Sequence, residues 1–217
     1  MCGRYDLFDT GKLPQRFKTI NTITDLKPSY NITPGQKLPV ITNQAKIEIL
    51  QWGLIPYWAS DPKIGYNLIN ARAETVAIKP GFRKAFRFQR CLVPANGFYE
   101  WEKIPEGKVP YHIELSGKPL FAFAGLFDIW KDQQGKEIKT YTIITTEPNA
   151  VVAPIHNRMP VVLTPEHEAD WLSTQITEPE KLMGFLKPYQ EKDMIAYRVS
   201  YSVNNPENNN ETLISKI

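Results

Sequence analysis

Cysteine is scarce, with only Cys2 and Cys91 in 217 residues. Two cysteines are too few for a disulfide framework or for a zinc site built on cysteine alone. Histidine is almost as rare, and His112, His156 and His167 do not sit at metal-ligand spacing. No apolar run approaches the roughly 18 residues of a membrane helix. The opening Met1-Cys2-Gly3-Arg4-Tyr5-Asp6 contains no apolar signal region. A glycine-rich phosphate loop, a Gly-x-Ser-x-Gly elbow and a His-Glu-x-x-His helix are all missing. These absences lead to the expectation of a cytoplasmic protein without metal or cofactor and without a membrane partner.

What is present is an ordinary globular mixture, 42% hydrophobic and 23% charged. A chain of this length buries a sizeable core unaided, and with no linker in sight one domain over 1–217 is expected. Proline, at 18 residues, exceeds its usual share of about 5% and favours turns and short elements over a helical bundle. The net charge of +3 is unevenly spread. Residues 1–110 carry 16 Lys and Arg against 9 Asp and Glu, and residues 111–217 carry 10 against 14. The densest basic run, Lys79, Arg83, Lys84, Arg87 and Arg90, has no acid within it. A basic half points to a polyanion as partner, and a solvated face explains the same charges.

Short strand-like runs dominate. Leu38 to Thr42 and Lys46 to Gly53 flank Asn43-Gln44-Ala45 as a hairpin. Val109 to Leu115 alternates apolar and polar residues, and Phe121 to Trp130 pairs with Lys139 to Thr145 across a polar turn. Met159 to Leu163 and Met194 to Ser200 are further strands. Thr164-Pro165-Glu166 opens a helix through Trp171, Thr177-Glu178-Pro179-Glu180 opens another through about Leu186, and a helix is expected between Thr145 and His156. Residues 204–210 are Asn-rich and read as irregular. The expected fold is α+β: a large, curved, mainly antiparallel, barrel-like sheet with a few peripheral helices.

Cys2 directly follows the initiator, and a small second residue permits loss of Met1. The product carries an α-amine, with a pKa of about 7.7–8.0, beside a thiol of about 8.5. Such an aminothiol traps aldehydes: the amine forms an imine, and the thiol closes on it as a thiazolidine. The same pair can attack an amide carbonyl, with the amine as base. Cys2 alone is better read as a tolerated small residue.

Four segments, taken together, are more specific. They are Cys2-Gly3-Arg4-Tyr5, Asn70-Ala71-Arg72-Ala73-Glu74-Thr75, the run from Arg90 through Pro94-Ala95-Asn96-Gly97-Phe98-Tyr99-Glu100-Trp101, and Ile155-His156-Asn157-Arg158-Met159-Pro160. With Ser29-Tyr30-Asn31-Ile32-Thr33-Pro34 and Trp52-Gly53-Leu54-Ile55-Pro56, the ordered set resembles the SRAP family of SOS-response-associated peptidases nearly end to end. The resemblance implies a protein that recognises abasic sites in single-stranded DNA and forms a thiazolidine through its N-terminal cysteine. It also implies autoproteolytic loss of the preceding residue, and it leaves crosslink reversal and strand cleavage (lyase activity) open.

Carried over by motif, Cys2 is the nucleophile, Asn70 the positioning amide, Glu100 the acid/base carboxylate and His156 a second acid/base. Arg4, Arg72 and Arg158 would contact phosphates. Trp52 and Trp58, with Tyr57, flank Pro56 in an expected loop and are candidates to stack on bases. Pro34 and Asn31 would shape the groove, Thr145 would offer a hydroxyl to a phosphate, and Arg83 and Arg87 would extend the basic track. Cys91, in an apolar strand, reads as core. Each residue alone has a plainer explanation: Glu100 as a strand's solvent-facing side chain, His156 as a capping group, Asn70 as a turn residue. Two other functions remain open at this point, a protein-directed N-terminal-nucleophile peptidase and a non-covalent single-strand binding module. The expected form is a monomer acting at the nucleoid.

Overall fold

The computed structural model describes residues 2–217. Thirteen strands succeed one another as β1 (Tyr5–Leu7), β2 (Ser29–Ile32), β3 (Lys37–Thr42), β4 (Ile47–Trp52), β5 (Asn70–Arg72), β6 (Arg90–Ala95), β7 (Gly97–Ile104), β8 (Gly107–Leu115), β9 (Phe121–Lys131), β10 (Glu137–Thr146), β11 (Met159–Pro160), β12 (Val162–Leu163) and β13 (Met194–Arg198). Five short α-helices accompany them: α1 (Leu13–Phe17), α2 (Ala73–Val76), α3 (Arg83–Phe88), α4 (Pro165–Leu172) and α5 (Pro179–Met183).

β10 pairs with both β4 and β9, β4 with β3, β3 with β6, and β6 with β9, so these five strands close on themselves. Closure explains why β9, Phe-Ala-Phe-Ala-Gly-Leu at its start, is apolar without alternation: its first six residues are all buried. A second sheet runs in the order β13-β8-β7-β1-β2. All its pairings are antiparallel, and only β4–β10 and β5–β10 run parallel. The expected α+β architecture, with a barrel-like and mainly antiparallel sheet, is therefore the one observed.

The barrel core is aromatic. Tyr5 meets Trp52 edge-on at 5.2 Å, Phe123 packs on Tyr5 at 5.9 Å, and Tyr141 stacks on Trp52 at 6.3 Å. The Tyr5 and Tyr141 hydroxyls share a hydrogen bond of 2.8 Å, so neither burial leaves a polar group unsatisfied.

The sequence reading is corrected at four places. Trp52 ends β4 and does not lie in a loop beyond it. Met159 to Leu163 is two strands: at Val161 the backbone donates to Ile144 O and accepts from Ala124 N, and so bridges β10 and β9. The α5 helix stops at Met183, and only turns continue toward Leu186. No helix precedes His156; residues 150–155 form turns. The Asn-rich 204–210 segment is irregular, as expected.

Tyr5 pairs with Phe98 and Asp6 with Gly97, placing β1 directly against β7. Beneath that crossing lies a fully buried pair, His112 Nε2 to Asp6 Oδ2 at 2.7 Å, with Tyr197 OH 3.0 Å from the other ring nitrogen. Gly97 is required there, because a Cβ would stand 2.2 Å from His112 Nε2. Gly97→Ala is expected to cost about 2 kcal/mol or more, since the added methyl displaces His112 from its buried hydrogen bond to Asp6. Urea denaturation measures it; a midpoint unchanged from wild type would show that His112 moves without loss.

Candidate active site and nucleic-acid interface

Cys2 is completely buried among core residues. Asn70, at the start of β5, donates from Nδ2 to the Cys2 carbonyl at 2.8 Å. The same amide's Oδ1 is a buried acceptor with no protein donor among the described residues. β5 lies where it does because Asn70, Ala71 and Arg72 run parallel to Ile143, Ile144 and Thr145 of β10. The Cys2 thiol lies 3.9 Å from Arg4 O, and Tyr99 N donates to that same carbonyl at 3.0 Å. The β1–β7 ladder thus carries Cys2 toward Glu100, the residue after Tyr99.

Burial pushes the Cys2 thiol pKa well up, and the charge of Glu100 adds to that rise. The thiol is therefore protonated near neutrality and needs a base. Glu100 is 3% exposed, and burial pushes its carboxyl up to about 7. That places it at the working range of a general acid/base. Its Oε1 is 3.9 Å from His156 Nδ1. Partial burial lowers the His156 pKa. His156 Nδ1 also lies 3.0 Å from the Arg158 N–H and 3.1 Å from the Arg158 carbonyl. The neutral ring accepts from the first and the protonated ring donates to the second, so one stretch of backbone serves both protonation states.

These groups open onto a cavity of about 440 Å³ lined by Arg4, Glu100, Trp101, Lys103, Lys108, His156 and Asn204. Arg4 donates from Nη1 to Asn31 Oδ1 at 2.6 Å and to Val203 O at 2.7 Å. Its guanidinium lies 5.7 Å from the Trp101 ring centre. Trp101 in turn donates to Asn204 Oδ1 at 2.8 Å. Arg158 forms a two-pronged pair with Glu74 at 2.6 and 3.0 Å. Arg72 is exposed at the end of β5.

Other expected contact residues are placed differently. Asn31 is buried and donates to the carbonyls of Val203, Asn205 and Asn208, so it anchors the C-terminal segment and presents no groove surface. Thr145 is fully buried, and its carbonyl accepts from Arg158 at 2.6 Å; its hydroxyl does not face solvent. Trp52 is 1% exposed and donates to Ile69 O, so it supports the strand that carries Asn70 and offers no stacking face. Pro34 is half-buried at a small cavity of about 150 Å³ shared with Tyr66 and Ile69.

The exposed groups form a second cluster. Trp58 is 49% exposed, and Lys84 of α3 lies 3.8 Å over the neighbouring Tyr57 ring. Arg83 and Arg87 are exposed on the same helix. Arg90, the last of the basic run, is buried and belongs to the interior. Cys91 is core, as expected. Lys103, Lys108, Trp101 and Asn204 were missed at the cavity, as was Glu74 opposite Arg158. The turn Pro105-Glu106-Gly107 was the available signal for the first two, because folding the chain there brings Lys103 to Lys108.

Residues 1–206 match the family described as SOS response associated peptidase (SRAP). The chain belongs to the SRAP family. An SRAP relative from Bacillus subtilis, the abasic site processing protein YoqW, is 46% identical over 221 residues, covering 99% of each chain. The abasic site processing protein YoaM of the same organism is 44% identical, covering 99% of this chain and 97% of its own. A crystal structure from Bacteroides thetaiotaomicron is 29% identical with a TM-score of 0.93, covering 100% of both chains. Among the described residues no helix is long and apolar enough to cross a membrane, and no group of three or more His, Cys, Asp or Glu is placed to hold a metal ion.

Proposed function

We propose that this chain, like the abasic site processing proteins it resembles, acts on abasic DNA, and that it captures the lesion in single strands as a thiazolidine on Cys2 after Met1 is removed. The observation that carries the reading is a buried Cys2, fixed by Asn70, beside a carboxyl pushed up to about 7. The freed α-amine adds to the aldehyde of the ring-opened sugar and gives a carbinolamine. His156 protonates the departing hydroxyl, water leaves, and the nitrogen returns its proton to His156, so that an imine remains. The thiol then adds across the C=N bond: sulfur bonds to carbon, and the thiol proton reaches nitrogen by way of Glu100. In sum, aldehyde and aminothiol give thiazolidine and water.

Arg72 and Arg158 hold the flanking phosphates, Arg158 exchanging Glu74 for the anion, while Arg4 orders the cavity wall. Trp58 and Tyr57 stack on bases, and Arg83 and Arg87 extend the track. The protein works as a monomer in the cytoplasm, at the nucleoid.

Intact-mass spectrometry tests this. Wild type is expected to lack Met1 and, with a uracil-glycosylase-treated oligonucleotide, to gain the strand's mass less one water. Cys2→Ala is expected to form no adduct. If Cys2→Ala retains Met1 where wild type loses it, the loss is self-processing; if it too loses Met1, an aminopeptidase does the work. A chain verified to begin at Cys2 that never joins the strand overturns the proposal.

A further inference from the structure

Lys103 and Lys108 are direct cross-strand partners in the β7–β8 hairpin, and both are exposed. Directly opposed side chains in an antiparallel pair stand about 4.5–5.5 Å apart at Cβ, and like charges there are destabilising. The hairpin's nearby acid does not relieve them. Glu102 accepts from Tyr111 OH at 2.9 Å and lies 3.9 Å from Arg198. Neither lysine has an ion-pair partner among the described residues. Yet both line the cavity that holds Glu100 and His156.

Of the arginines around Cys2, Arg4 is held by Asn31 and Val203 and Arg158 by Glu74, while Arg72 is exposed at the end of β5. The lysine pair therefore supplies uncompensated positive charge at the cavity mouth. We infer that Lys103 and Lys108 form a clamp for one phosphodiester of the lesion-bearing strand, on the hairpin side of the cavity. A phosphate between them converts a mutual repulsion into two charge-assisted contacts.

The inference rests on the abasic-site reading for its ligand, and its first test does not need the covalent step. Fluorescence anisotropy with an intact single strand gives the slope of log affinity against log salt. The slope should fall in magnitude by about 0.7 in Lys103→Gln/Lys108→Gln, the share of the one phosphate that the two lysines hold together. Affinity at low salt should fall on the order of tenfold. The variant loses a repulsion and keeps the hairpin, so its melting temperature should equal or exceed that of wild type.

With abasic strands, the double variant should need more DNA for half-maximal crosslinking yet keep the rate at saturation. A methylphosphonate scan of the lesion strand should find one linkage whose neutralisation weakens wild type and leaves the double variant unaffected. An unchanged salt slope, or sensitivity confined to a complementary strand, overturns the clamp. If wild type shows the slope but never crosslinks, the covalent reading fails while the clamp stands.

Discussion

Glu100→Gln is expected to slow adduct formation by about 10²–10⁴-fold, the range that a positioned acid/base group contributes, with little change in affinity for the lesion. The substitution keeps the shape and a hydrogen-bonding side chain but removes the group that moves the proton. The effect is large because burial holds the Cys2 thiol protonated, so the sulfur cannot close the ring without a local base. A second measurement, independent of DNA, tests the environment of Glu100. Its carboxyl is raised from an ordinary 4.5 to about 7, so the folded state holds a proton that the unfolded state has lost between those values. The resulting stabilisation is complete below about pH 4.5 and is lost as pH rises through about 7. Glu100→Gln removes this component: the difference in unfolding free energy between wild type and variant should change across that window and be flat outside it. Equal losses in binding and rate would make Glu100 a contact residue. A pH-independent difference would place its carboxyl in ordinary surroundings.

The four residues proposed for the chemistry were picked out by their motifs, but their assembly was not legible. Cys2 meets Glu100 because β1 pairs with β7, with Tyr5 opposite Phe98, and Asn70 reaches Cys2 only because β5 lies against β10. Local periodicity carries no trace of such distant pairings. The hairpins were legible because β3–β4 and β9–β10 are joined by short polar turns, and alternation or apolar runs mark their strands. α3 was not. Its buried Phe82, Ala85 and Phe86 follow helical spacing, yet the charges between them dominated the reading.

The misplaced contact residues share one cause: Asn31, Thr145 and Trp52 each carry a polar group that an exposed groove could use. In the fold each is taken up inside the protein, Asn31 at Val203, the Thr145 hydroxyl at Arg158 and Trp52 at Ile69. Once satisfied, such a group is buried at little cost. These residues still bear on the proposed site, because they hold Arg4, Arg158 and Asn70 in place.

Arg90→Met is expected to cost about 4 kcal/mol or more, the range reached only when a buried polar network is broken. The Arg90 side chain is 1% exposed, and among the described residues no carboxylate pairs with it. It donates instead to five backbone carbonyls, those of Phe86 and Arg87 at the end of α3 and of Trp171, Ser173 and Ile176 at and beyond the end of α4. Each helix end leaves carbonyls unpaired, and both ends favour a cation. One guanidinium therefore closes the C-terminal ends of two helices. Burial lowers its pKa only to about 10, so it stays charged at neutral pH. Methionine fills much of the volume but strands the carbonyls, at about 1–3 kcal/mol for each that water does not reach. Since typical domains are stable by only about 5–15 kcal/mol, the variant should unfold at markedly lower urea. Arg90→Lys keeps the charge with three donors on a point-like head where five planar N–H groups fit, and should recover only part of the loss. A penalty below about 1 kcal/mol for Met would mean that the two helix ends reorganise independently. In that case α3, with Arg83 and Arg87 upon it, would not be locked to the barrel through this residue.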